Sequence, residues 1–212
     1  MKKKTPNGTL ISQMMDQTFP LRRREIVKKE PAVENMVERW PALFTERQVF
    51  AECNRVTSRN LEADFFEALD QHTPRFIQLF KSKKGSAFQL FLATTPGIFS
   101  KTCFDTTRGE ALSSVTVGVL TVLSEDNPQE GPSSMQLEPI STDIVLEGGI
   151  VMENIKNFPQ AVCLLFGLIY ALHLDYPKCM ANTLMFLQRV MLGLGTKTLS
   201  LKLLTLRNAL LD

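Results

Sequence analysis

Asn157 to Leu174 reads NFPQAVCLLFGLIYALHL, 18 consecutive residues without a formal charge. The run is either a membrane span or the centre of a core, and that choice sets the rules for the rest of the chain. A hydrocarbon core needs about 20 apolar residues in helical form. The ends of this run are not lipid-like. Asn157 and Pro159 form an N-cap and first-turn pair, Gln160 sits in the first turn, and His173 and Asp175 close the far end. The purely apolar centre, Ala161 to Leu172, is 12 residues. At 1.5 Å per residue it spans about 18 Å, short of the roughly 30 Å of a bilayer interior. A helix apolar on all sides but too short to span is buried in protein. The run therefore predicts a core helix and no membrane partner.

Outward from it, a chain of 212 residues with 44% hydrophobic content has the length of one domain or one and a half and the means to bury a core. The N-terminus, KKKTPNGTLISQMM, has no apolar h-region, which predicts a cytoplasmic or nuclear protein. Cys53, Cys103, Cys163 and Cys179 fit that setting as free thiols, since no pair has C-x-x-C spacing. The net charge of +2 is unevenly spread. Residues 1–30 carry eight basic and three acidic groups; residues 110–156 carry one basic and eight acidic. The acidic part includes SEDNPQEGPSSMQLEP, whose Pro, Ser and charge content reads as a solvated loop.

Residues 1–20 lack sustained periodicity and predict a mobile basic tail. Residues 21–84 predict an N-terminal helical segment: Leu21 to Arg39 interrupted by Pro31, an extended step at Trp40-Pro41, and a capping box at Thr45-Glu46-Arg47-Gln48. Asn60 caps a helix burying Leu61, Phe65, Ala68 and Leu69, and Thr73-Pro74 starts a fresh one. Residues 85–212 predict an α+β core. Its strands fall near 88–93, 115–123 and 143–153, with a short helix opening at Thr95-Pro96. Val115 to Leu123, VTVGVLTVL, is the clearest strand. It is expected to pair antiparallel with 143–153, where Gly148-Gly149 permits a tight turn or a bulge. C-terminal helices are predicted near 159–173, 178–194 (with Gly195 just past its end) and 198–211, the last capped by Thr198. The fold class is α+β, predominantly helical, with a small antiparallel β-sheet packed against C-terminal helices.

Candidate chemistry is sparse. His173 and Asp175 could orient an imidazole, but side chains two apart on a helix do not face each other, and no nucleophile elbow accompanies them. Cys163 and Cys179 lie in apolar helical stretches, where cysteine acts as a small hydrophobe. Cys103, near Lys101 and Arg108, is the better candidate for an exposed thiol. Glu62, Asp64, Glu67 and Asp70 read as the solvated face of an amphipathic helix. Two histidines and no clustered carboxylates predict no metal centre, and no phosphate-binding glycine loop or dinucleotide fingerprint is present. Catalytic, cofactor-binding and metal-ligating residues are therefore all expected to be absent. The remaining candidate is a basic contact or import patch: Lys2, Lys3, Lys4, Arg22, Arg23, Arg24, Lys28 and Lys29. Phosphate contact there would be strongly salt-dependent, but Phe19 is the sole interleaved aromatic.

The segments RRREIVKKEPAVENMVERWPALFTERQ, VTVGVLTVL, IVLEGGIVMENI and FPQAVCLLFGLIYALHLDYPKCM resemble, in the same order, vertebrate proteins labelled "sterile alpha motif domain-containing protein 3-like". The similarity covers roughly residues 21–212 and lies outside the sterile alpha motif domain of that family. Family members carry a longer helical stretch between the segments matching FKSKKG and FQLFLATTPGIF, so the resemblance implies a shortened copy or an altered splice form. It transfers no catalytic or binding residue. The sequence thus predicts a non-catalytic interaction or regulatory protein with a protein partner. The alternative is a nuclear, nucleic-acid-associated accessory protein acting through the basic N-terminus.

Overall fold

The computed structural model describes residues 7–82, 98–100, 112–123, 139–195 and 198–211. In chain order it contains helices α1 (Gly8–Lys29), α2 (Val33–Arg39), α3 (Glu46–Thr57) and α4 (Leu61–Ser82). Strands β1 (Ile98–Ser100), β2 (Val117–Leu123), β3 (Pro139–Leu146) and β4 (Gly149–Met152) follow. Helices α5 (Phe158–Leu172), α6 (Ala181–Phe186) and α7 (Leu201–Leu211) complete the chain. The fold is α+β and predominantly helical, with a small antiparallel sheet, as the sequence predicts.

The charge-free run forms α5. Asn157 Oδ1 accepts the Gln160 N–H at 2.9 Å, Pro159 sits in the first turn, and His173 ends the helix in the left-handed conformation (φ 58°). Ten of its 15 residues are buried, so the helix is enclosed on every side. One side meets β2 and β3; the other meets α3 and α4. Gly167 sets the approach to the helical layer: a Cβ there would lie 2.8 Å from Val49 Cγ1 and 3.1 Å from Leu61 Cδ2. Among the described residues no helix is long and apolar enough to cross a membrane.

β2 and β3 pair antiparallel, with Val119 opposite Ile144, and β3 pairs antiparallel with β4. The turn between β3 and β4 is one residue earlier than the glycine pair suggests. Glu147 (φ 50°) and Gly148 (φ 79°) form it, and Gly149 already belongs to β4. Positive φ at both central residues matches the right-handed twist of the strands. The expected short helix after Thr95-Pro96 is corrected by β1, which lies parallel to β2 along the sheet edge. Three extended residues there satisfy backbone groups that a bare edge would leave unpaired. The expected strand at 88–93 lies outside the described residues.

The expectation of a mobile tail over 1–20 is corrected by α1. Asn7 Oδ1 accepts the N–H groups of Thr9 (3.1 Å) and Leu10 (3.2 Å), and the helix runs from Gly8 through Pro20 to Lys29. Its inward stripe is Ile11, Met15, Arg22 and Ile26, with Met15 buried and Arg22 and Ile26 fully buried. Pro20 and a buried arginine break the apolar pattern that would otherwise announce a helix. Pro31 separates α1 from α2, as its φ restriction requires.

Other corrections are local. Thr45 sits at the N-cap of α3, but its hydroxyl donates back to the Ala42 carbonyl (2.8 Å) rather than capping. Thr73-Pro74 starts no new helix: Pro74 lies inside α4, and the Thr73 hydroxyl donates to the Leu69 carbonyl at 2.6 Å. The expected helix over 178–194 is shorter. α6 passes into a π-helical turn, Leu187–Met191, in which the Leu192 N–H reaches the Leu187 carbonyl. Ser200, rather than Thr198, caps α7, through its Oγ and the Leu203 N–H. Cys179 is exposed rather than part of an apolar helix face. The π turn and α7 pack on α4, so α5 is the C-terminal helix that carries the sheet.

Candidate functional site

The basic patch does not survive as a single surface. Lys2, Lys3 and Lys4 lie outside the described residues. Arg24, Lys28 and Lys29 are exposed on α1. Arg22 and Arg23 are not free contacts, because both are spent inside the molecule. Arg22 has no exposed surface and is clamped by Glu52 of α3, through Nε to Oε1 at 2.8 Å and Nη2 to Oε2 at 2.6 Å. It also donates to the Thr18 hydroxyl (2.9 Å) and the Met15 carbonyl (3.1 Å), and its guanidinium lies 5.4 Å from the Trp40 ring centre. Glu52 accepts a further bond from Arg55 (2.7 Å), which in turn holds Asp16. A charge with this many partners can stay ionised in a dry interior.

Arg23 reaches across to the C-terminus of α5, where its Nη1 donates to the carbonyls of Tyr170 and Ala171, both at 3.2 Å. Burial lowers its pKa, and the nearby Glu52 charge partly opposes that shift. A cation at the last carbonyls of a helix is also favoured by the helix dipole. Arg59 and Arg75 play the same part, donating to the carbonyls of Leu192 (2.9 Å) and Ala209 (3.0 Å). Arg22 and Arg23, read from sequence as part of a contact patch, are here fastenings between helices.

The C-terminal end of α5 opens into a cavity of about 600 Å³ lined by Arg23, Tyr170, His173, Tyr176, Gln188 and Arg189, among others. The Tyr176 hydroxyl donates to Gln188 Oε1 at 3.1 Å. Burial raises the pKa of both tyrosines, so each stays protonated near neutrality. His173 and Asp175 both line this cavity, yet no hydrogen bond or ion pair joins them among the described residues. His72 is buried on α4, away from it. Cys53 and Cys163 are buried free thiols, and Cys103 lies outside the described residues. No group of three or more metal-ligating side chains occurs among the described residues.

The opposite face of α1 is a second candidate surface. Leu10, Met14 and Leu21 are more than half exposed there. Their spacing of four and seven residues puts them within about 40° of one another around the helix. Gln17, Arg24 and Lys28 continue the same stripe, and all are exposed.

This helix is the start of the region that family comparison picks out. Residues 1–45 match the helical domain of sterile alpha motif domain-containing protein 3. The match supports the sterile alpha motif domain-containing protein 3-like label read from the sequence. The matched region takes in α1, α2 and the 3-10 turn Pro41–Phe44 up to Thr45. It includes the segment expected as a tail. No curated protein and no solved structure matches the chain.

Proposed function

We propose that the protein is a non-catalytic interaction protein, and that the outer face of α1 docks a partner. The observation that carries this is the exposed stripe of Leu10, Met14 and Leu21 on one face of a helix whose other face is core. Large apolar side chains aligned at helical spacing suit an amphipathic helix laid alongside. The stripe runs on into Arg24 and Lys28, so the partner helix is expected to carry acidic residues beyond its apolar ones.

The first 30 residues cannot be deleted to test this, because Met15, Arg22 and Ile26 belong to the core. The test is in-cell crosslinking with the wild-type chain and with a Leu10→Glu, Met14→Glu, Leu21→Glu variant of matched helix content. The expected result is a set of proteins lost at least tenfold from the variant and recovered as direct binders from purified components. Partners indifferent to the three substitutions would overturn the reading, as would self-association that the substitutions abolish. Turnover by purified protein that disappears in His173→Ala would remove the non-catalytic part.

A further inference from the structure

We infer that the hollow between the π turn and α7 is a binding site for a phosphate group. It is about 450 Å³ in volume and is lined by Arg189, Thr198, Leu199, Leu204 and Arg207. It adjoins the larger cavity at the end of α5, with which it shares Arg189. The two arginines come from different elements, Arg189 from the π turn and Arg207 from α7.

Both guanidiniums are held and under-used. Arg189 Nη1 donates to the Leu194 carbonyl at 3.5 Å, and Arg207 Nη2 to Asn208 Oδ1 at 3.3 Å. Arg189 Nη2 and Arg207 Nε are buried and have no hydrogen-bond partner among the described residues. No ion pair joins either arginine to a carboxylate among the described residues. This contrasts with Arg22, Arg55 and Arg59, each of which is paired with a carboxylate. A buried donor without an acceptor is costly, more so when it is charged. Both residues line one hollow, where a single anion would compensate the two together.

The charge balance selects the anion. A carboxylate brings one negative charge and leaves one guanidinium uncompensated. A phosphate monoester brings between one and a half and two, and offers three acceptor oxygens. Arginine forks are suited to such oxygens. Both N–H groups are shielded in the present arrangement, so an arriving phosphate is met by a turn of each guanidinium towards the hollow. Thr198, exposed at its rim, offers a hydroxyl, and Leu199 and Leu204 offer an apolar wall for the body of an ester.

The test uses the whole chain at pH 7.5 and constant ionic strength. Inorganic phosphate and phenyl phosphate are titrated against chloride, read by isothermal titration calorimetry and by the thermal midpoint. Saturable binding by either phosphate is expected, weakened about tenfold or more in Arg189→Gln and in Arg207→Gln, as loss of a charge-assisted bond requires. Arg207→Lys, which keeps the charge and loses the Nε donor, is expected to fall between, while Arg47→Gln, exposed on α3, leaves binding unchanged. Tighter binding of phenyl phosphate marks an ester as the ligand, and equal binding marks the free anion. The site is overturned if chloride gives the same midpoint shift, if both glutamine variants bind as the wild type does, or if Arg47→Gln weakens binding equally.

Discussion

Arg22 sits where its sequence neighbours least suggest. A run of three arginines reads as a surface contact patch, and the partner of Arg22, Glu52, is 30 residues away. Local pattern holds no trace of that pairing, so the sequence left Arg22 and Arg23 among surface contacts. Glu52→Ala or Arg22→Ala is expected to cost about 3–5 kcal/mol, because each strands a buried charge. The double replacement Arg22→Met, Glu52→Leu should cost less than either single change, since Arg55 keeps Asp16 as a partner. Urea unfolding of the three variants decides it; a double variant as weak as the sum of the singles would contradict the pairing. The buried thiols give a pH dependence. Burial pushes Cys53 up to about 12, against a weaker lowering by its bond with Thr57, and pushes Cys163 up further still. Both thiols are raised in the folded state, so their stabilisation is complete below the unfolded value near 9 and is lost as pH rises from there towards the folded values. The loss per thiol is at most about 1.4 kcal/mol per pH unit. Unfolding midpoints at pH 8 and pH 10 should therefore diverge in the wild type and diverge less in Cys53→Ala. In the native protein a thiol reagent should modify Cys179 and leave Cys53 and Cys163 until the chain unfolds.

Among the elements, those with complete local signals were legible. α5 carries its own cap, its first-turn proline and an unbroken apolar centre. VTVGVLTVL carries β-branched residues at strand spacing, and α4 carries Leu61, Phe65 and Ala68 on one face. The part of α1 before Leu21 was missed because Pro20 crosses the helix there, although Asn7 and the recurrence of Ile11 and Met15 mark it in retrospect; the part from Leu21 was read as helical. The close contact of α5 with α3 rests on Gly167 and is open to test. Gly167→Ala should destabilise by about 1–3 kcal/mol through overpacking, less about 1 kcal/mol gained in helix propensity. Adding Val49→Ala should restore more than additivity predicts, because the clash is with Val49 Cγ1 itself. The turn between β3 and β4 has a second duty. Glu147 Oε2 accepts the Val33 N–H at 2.8 Å and so supplies the N-terminal cap that Ala32 cannot give α2. Glu147→Ala is expected to cost about 1 kcal/mol, as loss of a cap does, with the helical signal of α2 as readout.

At the scale of the whole molecule, α5 belongs to both layers, with the sheet on one side and α3 and α4 on the other. Neither layer keeps its buried surface without it. Urea unfolding is therefore expected to be one cooperative transition, with Trp40 fluorescence, which reports the N-terminal helices, coinciding with far-ultraviolet circular dichroism. Separated midpoints would mean that the layers open independently. The overall class was readable because periodicity and capping are local. The fastenings were not, because Arg23, Arg59 and Arg75 reach helix ends 133 to 148 residues away in the chain. The π turn at Leu187–Met191 carries a consequence of a different kind. Such a turn holds one residue more than an α-helix would at the same place. Removing a single residue from it would let the ladder close in ordinary α form and swing whatever follows by about 100°. Arg189 would then leave Arg207 with every side chain of the hollow intact. The two guanidiniums share a space by virtue of chain length, so at this corner an insertion or deletion is a more drastic event than any substitution.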